Sequence, residues 1–278
     1  MPIISSPLRY PGGKSRLTGY VSQILAKNNL TDCTYIEPFA GGAGIACSLL
    51  IKGIVSSIII NDINTLVYSF WRSVIDHSEE LCELVYNADV NMQEWYKQKA
   101  IQSDMANHSI IELGYAALFL NRVNRSGILN GGVIGGKAQS GKYKMDARFG
   151  KDNLINRINR IAEFRDRIRV YNQDVFDFID TTVPGVCNAF IYLDPPYFKQ
   201  GSSLYENNFQ MQDHNRLAES VKNNLQIPWI VSYDNVDEIC ELYAECNSRK
   251  IDISYTAQRK YIGSEVIFYS PILVIPPI

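Results

Sequence analysis

The sequence lacks the cysteine and histidine spacings that typically bind metals. Its 278 residues include six cysteines and three histidines, but no C-x-x-C pair, and the histidines do not cluster with the cysteines. The cysteines lie in mostly apolar contexts, so we expect buried, reduced thiols in place of a zinc site or a disulfide framework. We accordingly expect no metal cofactor.

Long apolar runs are also missing. Stretches such as Ile54–Ile60 are far shorter than the ~20 residues that a membrane-spanning helix needs, and no basic-then-apolar leader is visible. With 46% apolar and 20% charged residues, the composition is that of a globular chain. This length suits one domain with an insertion, or two domains. We therefore expect a cytoplasmic protein without a membrane partner.

Neither of the common glycine-rich nucleotide motifs is complete. The loop Glu37–Gly44 lacks the full G-x-G-x-x-G spacing, and Lys14-Ser15 lacks the spacing of a P-loop, so that Lys14 alone reads as a surface lysine beside a turn. The three glycines of Glu37–Gly44 nevertheless permit close backbone approach at the start of a helix, which predicts a ligand loop. Asp62 ends the next strand, either as a ribose acceptor or as a helix cap.

The segment Ile191–Phe198 is the most informative part of the chain. An apolar strand ends there in Asp194-Pro195-Pro196-Tyr197. Because the two prolines disfavour helix, Asp194 and Tyr197 should project from a stiff turn at the carboxyl end of the strand. Ligands of α/β sheets bind at that edge. A carboxylate beside an aromatic ring suits a planar amine.

Charge is strongly segregated along the chain. The net charge is −2, but the stretch from Phe119 to Val170 holds twelve basic and four acidic residues, a local balance of +8 that leaves −10 for the remainder. Such a basic segment in an acidic protein is typical of a polyanion contact. A solvated helix face explains the charges equally well, particularly over Arg157–Arg169.

Strand and helix patterns alternate at both ends of the chain. This order predicts a parallel sheet, closed by an antiparallel hairpin because little room for a helix separates the last two strands. Between the two ends, the nearly all-apolar stretch Ile110–Leu120 predicts a buried helix, and the Gly/Lys-rich stretch Asn124–Gly150 predicts a mobile or hairpin-forming arm. The predicted strands lie at residues 35–39, 57–62, 168–171, 188–193, 229–233, 251–255 and 266–269.

Four segments, in this order, resemble the motifs of the Dam-like (D12 class) DNA adenine N6-methyltransferases: Arg9–Lys14, Glu37–Gly44, Asn61-Asp62 and Asp194–Tyr197. Further matches are Phe119–Arg122, Ser232–Asn235 and Glu265–Ile267. The resemblance spans most of the chain. It implies an α/β fold with a methyltransferase-type (Rossmann-like) mixed sheet, formed by residues 1–75 and 168–278, and a helical target-recognition insertion at residues 76–167 with its Gly/Lys-rich arm.

The same resemblance implies S-adenosylmethionine as cofactor and double-stranded DNA as partner, and leaves a cognate restriction enzyme open as a further partner. The residues implied to bind the cofactor are Tyr10, Lys14, Glu37, Pro38, Phe39, Gly41, Asp62, Asp174, Val175 and Asp194. Those implied to act in catalysis are Asp194, Pro195, Pro196 and Tyr197. DNA contacts are expected from Arg9, Arg122, Arg125, Lys137, Lys142 and Lys144, with Arg125 as a candidate reader of guanine.

The implied reaction is methyl transfer to adenine N6 in DNA, with the base flipped out of the duplex. The exocyclic amine of adenine shares its lone pair with the ring, so Asp194 and the carbonyl of Pro195 would accept its N–H bonds while Tyr197 stacks on the ring. Two alternatives stay open: another amine acceptor (cytosine N4, RNA or protein), or a catalytically silent DNA-binding module. The aspartate at 194 favours adenine, and the intact turn and glycine loop favour an active enzyme.

Overall fold

The structure, a computed structural model, describes residues 6–9, 14, 17–198, 209–255 and 261–277. Within these residues seven strands form one sheet in the order β3-β2-β1-β4-β5-β7-β6, with β7 antiparallel to both of its neighbours and the other pairs parallel. This confirms the mixed α/β sheet and its closing hairpin. The strands are β1 (Thr34–Glu37), β2 (Ser57–Asn61), β3 (Ile168–Tyr171), β4 (Ala189–Leu193), β5 (Trp229–Asp234), β6 (Asn247–Tyr255) and β7 (Tyr261–Tyr269).

The predicted alternation of helices and strands is present, and the helix predicted at Ile110–Leu120 extends over Ile110–Val123. Two helices continue as π-helical turns, at Phe178–Thr182 and Ser220–Asn224. In the described part of the chain the helices are α1 (Thr18–Lys27), α2 (Gly44–Ile51), α3 (Thr65–Asp76), α4 (Ser78–Tyr86), α5 (Met92–Ser103), α6 (Ile110–Val123), α7 (Lys151–Ala162), α8 (Val175–Asp177), α9 (Met211–Glu219) and α10 (Asp237–Leu242). No described helix is both long and apolar enough to cross a bilayer.

The centre of the sheet is a topological switch point. β1 and β4 lie side by side, and the chain proceeds from β1 towards one edge of the sheet and from β4 towards the other. Alternate residues of these strands enter two hydrophobic clusters, with Tyr35 and Phe190 in one and Ile36 and Ile191 in the other. Both faces of the sheet are therefore covered, and a crevice at the carboxyl ends of β1 and β4 is the expected ligand site.

The segment between α3 and β3 is mainly helical, as predicted for the insertion. Its central helix α6 packs against α3, and Leu118 and Phe119 are completely buried. These residues belong to the same hydrophobic cluster as Tyr35 on the sheet. The insertion is thus packed continuously with one face of the sheet, and the division at residues 76 and 167 stays a prediction.

The Gly/Lys-rich arm forms turns, and the expected hairpin is reduced to a single antiparallel bridge between Asn124 and Val133. The side-chain amide of Asn124 donates to the carbonyls of Ile128 and Leu129 at 3.0 and 2.9 Å. The amide of Gln139 donates to two further carbonyls of the arm. Local side-chain hydrogen bonds therefore satisfy backbone groups that a strand ladder would otherwise pair.

Candidate active site and DNA interface

A buried lysine joins four distant segments at the carboxyl end of β4. The Nζ atom of Lys14 lies 2.7 Å from Oδ1 of Asp194 and 2.9 Å from Oε2 of Glu265, and donates to Oγ of Ser232 at 2.8 Å. Asp194 follows β4, while Ser232 and Glu265 lie on β5 and β7. The interpretation of Lys14 as a surface lysine is therefore wrong, because its partners are brought together only by the fold.

The Asp194–Tyr197 turn is fixed by hydrogen bonds to β5 and β7. The hydroxyl of Tyr197 donates to Oε1 of Glu265, and the backbone N–H of Phe198 donates to Oδ1 of Asp234 at 3.0 Å. The ammonium of Lys14 lies 5.1 Å from the centre of the Tyr197 ring. The turn is therefore stiff both because of its prolines and because neighbouring strands hold it.

One oxygen of Asp194 is held while its side chain still reaches solvent. The hydroxyl of Ser232 donates to Oδ1 of Asp194 at 3.1 Å, and Tyr192 lies within hydrogen-bond distance of Ser232 at 2.8 Å. About a third of the Asp194 side chain, 31%, is exposed, against 2% for Lys14. The carboxylate thus has a fixed orientation and an accessible side, which is the arrangement that a hydrogen-bond acceptor for a substrate needs.

Burial and the neighbouring charges have opposite effects on the pKa values of Lys14 and Asp194. Burial by itself lowers the pKa of Lys14, but Asp194 and Glu265 outweigh burial and raise the pKa above its ordinary value. Burial and the charge of Glu265 raise the pKa of Asp194, whereas Lys14 acts in the opposite direction. Lys14 is therefore charged at neutral pH.

The sequence predicted no role for Ser232 or Glu265. They were noted only as parts of two segments that resemble the methyltransferase family. Both are almost completely buried. A polar residue inside an apolar strand is the signal that could have found them, because a buried polar group needs a partner.

The glycine loop after β1 is clamped on both sides of one glycine. Gly41 has φ +44°, and its N–H donates to Oδ2 of Asp62 at 2.8 Å while its carbonyl accepts from the indole N–H of Trp71 at 3.0 Å. The other oxygen of Asp62 accepts from the N–H of Asn64 at 2.9 Å. Asp62 thus shapes the loop and the residue before α3. The N-cap of α3 is Asn64, whose side chain accepts from the N–H groups of Leu66 and Val67, so the interpretation of Asp62 as a helix cap is wrong. Its ribose role stays a prediction.

Asn61 joins the loops that follow β1, β2 and β3, a function that sequence reasoning missed. Its amide donates to the carbonyls of Pro38 and Gln173 at 3.0 and 3.1 Å, and its oxygen accepts from the N–H of Gln173 at 2.9 Å. Just beyond, Asp174 caps α8 by accepting from the N–H of Phe176 at 2.9 Å. The loops of Pro38 and Asp174, both predicted to bind the cofactor, therefore lie along one edge of the sheet.

Aromatic rings line this edge. The Phe209 ring contacts the edge of Phe39 with ring centres 5.7 Å apart, and stacks on Phe176 with an interplanar angle of 12°. The guanidinium of Arg216 covers Phe176 at 3.8 Å. Flat apolar side chains next to Asp174 and Val175 suit a planar heterocycle.

Glu37 is a buried carboxyl close enough to Asp194 for the two charges to interact. Its Oε1 accepts from the N–H of Ala46 at 3.0 Å, and only 6% of the residue is exposed. Burial raises the pKa of Glu37 to about 8, and the charge of Asp194 adds to this effect. Glu37 is therefore mainly protonated at neutral pH.

This shift predicts a pH-dependent stability. A carboxyl whose pKa rises on folding from 4.5 to about 8 contributes stability that is complete below the lower value and is lost as the pH rises towards 8, by about 1.4 kcal/mol for each unit of pKa difference. Glu37→Gln should remove this loss, so the variant should gain free energy of unfolding relative to the wild type between pH 5 and pH 8. Urea denaturation at both pH values tests this. The prediction is contradicted if the free energy of unfolding changes by the same amount between pH 5 and pH 8 in both proteins.

Arg122 is the centre of an arginine cluster where the N-terminal segment meets the insertion. Its guanidinium donates to the carbonyls of Arg148 and Pro7 at 2.7 and 3.2 Å, and Arg157 donates to the carbonyl of Ser6 at 2.9 Å. Burial, followed by repulsion from the other arginines, lowers the pKa of Arg122 to about 10. The arginine cluster, defined as Arg9, Arg122, Arg148 and Arg157, makes no ion pair with a carboxylate in the part of the chain that the structure describes.

Arg9 is held in this cluster through its backbone. Its N–H donates to Oδ1 of Asn121 at 2.7 Å, and the Asn121 amide donates back to its carbonyl at 2.6 Å. A Cβ on Gly127 would lie 2.4 Å from the same carbonyl, so this close approach needs glycine. Among the described residues, the buried Nη1 of Arg9 has no hydrogen-bond partner. A buried, unpaired cationic donor suits an anion.

The remaining DNA-binding candidates differ from Arg9 and Arg122 in their exposure and lie on the surface of the arm. Arg125, Lys137, Lys142 and Lys144 are all exposed. Lys142 lies over the ring of Tyr143 at 5.7 Å and Lys144 donates to a carbonyl of the arm. The candidates therefore form two groups, one half-buried and one exposed. Tyr10, a predicted cofactor ligand, lies outside the described residues.

The described residues contain no group of three or more histidine, cysteine, aspartate or glutamate side chains that could hold a metal ion.

Comparisons with known proteins agree on one class of enzyme. The family model of the D12 class N6 adenine-specific DNA methyltransferases matches residues 10–257. The type II methyltransferase M.MjaIII of Methanocaldococcus jannaschii is 27% identical over 275 residues, which cover 88% of this chain and 89% of the relative. The type II methyltransferase M1.LlaDCHI of Lactococcus lactis subsp. cremoris is 23% identical, with 89% of this chain and 87% of the relative covered.

Two further matches differ in extent. The modification methylase StsI of Streptococcus sanguinis is 26% identical over 78% of this chain, which corresponds to 32% of the relative. The solved structure of a putative RNA methyltransferase from Pyrococcus horikoshii is 11% identical, with a TM-score of 0.39, and the match covers 94% of this chain and 84% of that chain.

Proposed function

The chain belongs to the D12 class of N6 adenine-specific DNA methyltransferases, and we propose that its Asp194–Tyr197 turn holds the target adenine while the adjoining glycine loop binds S-adenosylmethionine. The resemblance found in the sequence is confirmed at the level of the family, and the chain is a site-specific DNA methyltransferase. Its relatives are type II and modification methylases. We therefore also propose a cognate restriction enzyme as its biological partner.

The proposal for the site depends on the position and hydrogen bonds of the Asp194 carboxylate. Its Oδ1 is held by Lys14 and Ser232, at the crevice between β1 and β4, while the side chain remains partly exposed. A carboxylate in this state accepts a hydrogen bond from the adenine amine without reorganising, which draws the nitrogen lone pair out of conjugation. Holding the amine and the methyl donor in line can lower the activation barrier by ~7–11 kcal/mol.

The residues present fit the cofactor. Bound S-adenosylmethionine supplies a methyl group on a positively charged sulfur. Asp62 presents a carboxylate for its ribose, and the half-buried ring of Phe39 presents flat apolar surface for its adenine. The carboxylates near Lys14 offer negative charge for its sulfonium. The raised pKa of Asp194 suits it to take up the proton that the amine gives up on methylation.

We assign residues 76–167 to target recognition. The two groups of basic residues, the arginine cluster and the exposed residues of the arm, are the proposed contacts with the duplex. The arginine cluster, with a buried unpaired N–H on Arg9, fits a DNA phosphate. The exposed Arg125 fits a guanine edge.

A direct test of the proposed function uses unmethylated plasmid and S-adenosylmethionine. Mapping of modified bases by single-molecule sequencing should find N6-methyladenine at one short sequence motif, and none after incubation with the Asp194→Ala variant. Methylated cytosine, or no methylation under any condition, would contradict the proposal.

Asp62→Ala should weaken binding of S-adenosylmethionine roughly 10- to 150-fold, because a charge-assisted hydrogen bond contributes about 1.5–3 kcal/mol. Calorimetry without DNA measures this affinity. Trp71→Phe is the matched control, since it removes the other clamp on Gly41 without touching the ribose site. If both variants lose the same affinity, Asp62 acts by shaping the loop and does not bind the ribose.

Replacing Lys142 and Lys144 together by alanine should weaken binding to all DNA sequences and lower the salt slope of binding by ~2, because each phosphate contact releases about one counterion. Arg125→Ala should instead relax discrimination at one base pair by ~1–3 kcal/mol. Arg160→Ala, on the exposed face of α7, is the control and should leave both quantities unchanged. A wild-type slope in the double variant would place the phosphate contacts elsewhere.

A further inference from the structure

Arg125, the candidate reader of guanine, lies in a short loop that folds back on itself. The reader loop, defined as residues 124–133, is closed by the bridge between Asn124 and Val133, and the N–H of Arg125 donates to the carbonyl of Gly132 at 2.9 Å. The Arg125 side chain is exposed, whereas Asn124 is completely buried. The loop therefore presents one exposed guanidinium and is anchored through the residue that precedes it.

Helix α5 holds the reader loop from inside the protein. The indole N–H of the buried Trp95 donates to Oδ1 of Asn124 at 2.8 Å. Lys99 and Gln102 follow Trp95 at helical spacing and donate to two further residues of the loop, at 3.0 and 2.8 Å. Because residues spaced by three and four positions lie on one face of a helix, this face of α5 contacts the loop at three points.

The contact with Trp95 fixes Asn124, and Asn124 fixes the turn after Arg125. The Asn124 amide group donates to the carbonyls of Ile128 and Leu129 while its oxygen accepts from Trp95. These bonds set the orientation of the side chain, because a flipped amide would point its oxygen at two carbonyls. A guanidinium that reads O6 and N7 of guanine needs two parallel hydrogen bonds, so its backbone has to be held in place.

We propose that helix α5, chiefly through Trp95, determines base specificity by holding the reader loop in the conformation in which Arg125 meets the DNA. The inference rests on the proposed function, in which Arg125 contacts a guanine edge. Sequence-specific binding requires the loop in place, so its apparent affinity falls with the fraction of molecules in that conformation. Binding through phosphates does not require Arg125 and keeps its affinity. Trp95 is thus a positioning residue, and its loss should lower discrimination without weakening all DNA binding.

The test measures the affinities of short duplexes by fluorescence anisotropy in the presence of S-adenosylhomocysteine, so that no methyl transfer occurs. One duplex carries the sequence at which the protein methylates plasmid DNA, and the other is changed at the base pair that Arg125→Ala no longer discriminates. Trp95→Phe keeps an aromatic ring and removes the N–H, so the ratio of the two affinities should fall roughly 2- to 10-fold, the range expected for one hydrogen bond. The salt slope and the affinity for the changed duplex should be those of the wild type.

A double variant separates positioning from general stability. Added to Arg125→Ala, Trp95→Phe should lower the ratio no further, because no reader remains to be positioned. Tyr96→Phe, at the next and exposed position of α5, is the control and should retain the wild-type ratio. If Trp95→Phe does not fold, Gln102→Met removes another contact between α5 and the loop, and a fall in the ratio that disappears in the Arg125→Ala background supports the inference.

A wild-type ratio in the folded α5 variant, or an equal fall in both backgrounds, would overturn the inference and leave Trp95 as a merely structural residue. Such a result leaves the proposed function intact. Full discrimination at every base pair by Arg125→Ala would instead refute Arg125 as the reader in the proposed function, and the inference with it.

Discussion

Asp194→Ala should lower the rate of methyl transfer at least ~100- to 1000-fold, the range expected when a preorganised hydrogen-bonding group is removed from a reacting centre. Binding of DNA should change much less, because the basic residues lie on other segments. Binding of S-adenosylmethionine should weaken by a smaller factor than the rate, because Asp194 is only one of the groups proposed to hold the cofactor. Single-turnover transfer of a labelled methyl group to plasmid DNA measures the rate, and calorimetry measures cofactor binding.

The fold should survive this substitution. Lys14 keeps Glu265 as a counter-ion when Asp194 is removed, so no uncompensated cation is left inside the protein. Ser232→Ala is the matched control, because it removes one hydrogen bond to Asp194 and leaves the carboxylate and the lysine in place. Transfer by Asp194→Ala within tenfold of the wild type, with an unchanged melting temperature, would refute the role given to Asp194.

Lys14→Met should destabilise the protein by about 3–5 kcal/mol, because removing one partner of a buried ion pair leaves the other uncompensated. Here two carboxylates, Asp194 and Glu265, would remain together. The folded-state pKa of Lys14 is raised, so its stabilising contribution is complete at neutral pH and is lost only above its ordinary value of 10.5. In the variant Asp194 lacks the lysine that opposes the rise of its pKa on burial. Its buried charge should therefore cost stability as the pH rises, and the deficit should be smaller in acid.

Urea denaturation at pH 5 and pH 7 measures this difference. The double variant Lys14→Met/Glu265→Gln removes one of the two remaining charges and should recover part of the lost free energy of unfolding. If the free energy of unfolding of Lys14→Met alone lies within about 1 kcal/mol of the wild-type value, the ion pairs of Lys14 contribute little to stability.

The local shape of the site could be predicted from the sequence because it depends on neighbouring residues. Two prolines after an apolar strand define the turn at Asp194, whatever packs around it. Three glycines before an apolar helix define the loop at Gly41 in the same way. The order of strands and helices follows from hydrophobic periodicity, which also identified the buried helix α6 and the closing hairpin.

The arm at residues 124–150 marks the limit of such reasoning. Its glycines exclude a core of its own but do not determine which turn each adopts. That was decided by the amides of Asn124 and Gln139, whose acceptors lie within a few residues and compete with strand pairing.

The sequence by itself determined the family, the sheet and the turn that carries Asp194, since these follow from contiguous residues and their spacing. Only the tertiary structure decided the electrostatics of the site. Lys14, Asp194 and Glu265 are separated by up to 251 positions. No local pattern shows that the fold brings both carboxylates within 3 Å of the Lys14 ammonium. The pKa of a buried group depends on which charges the fold places beside it and on how much water it excludes, and neither quantity is a property of neighbouring residues in the chain.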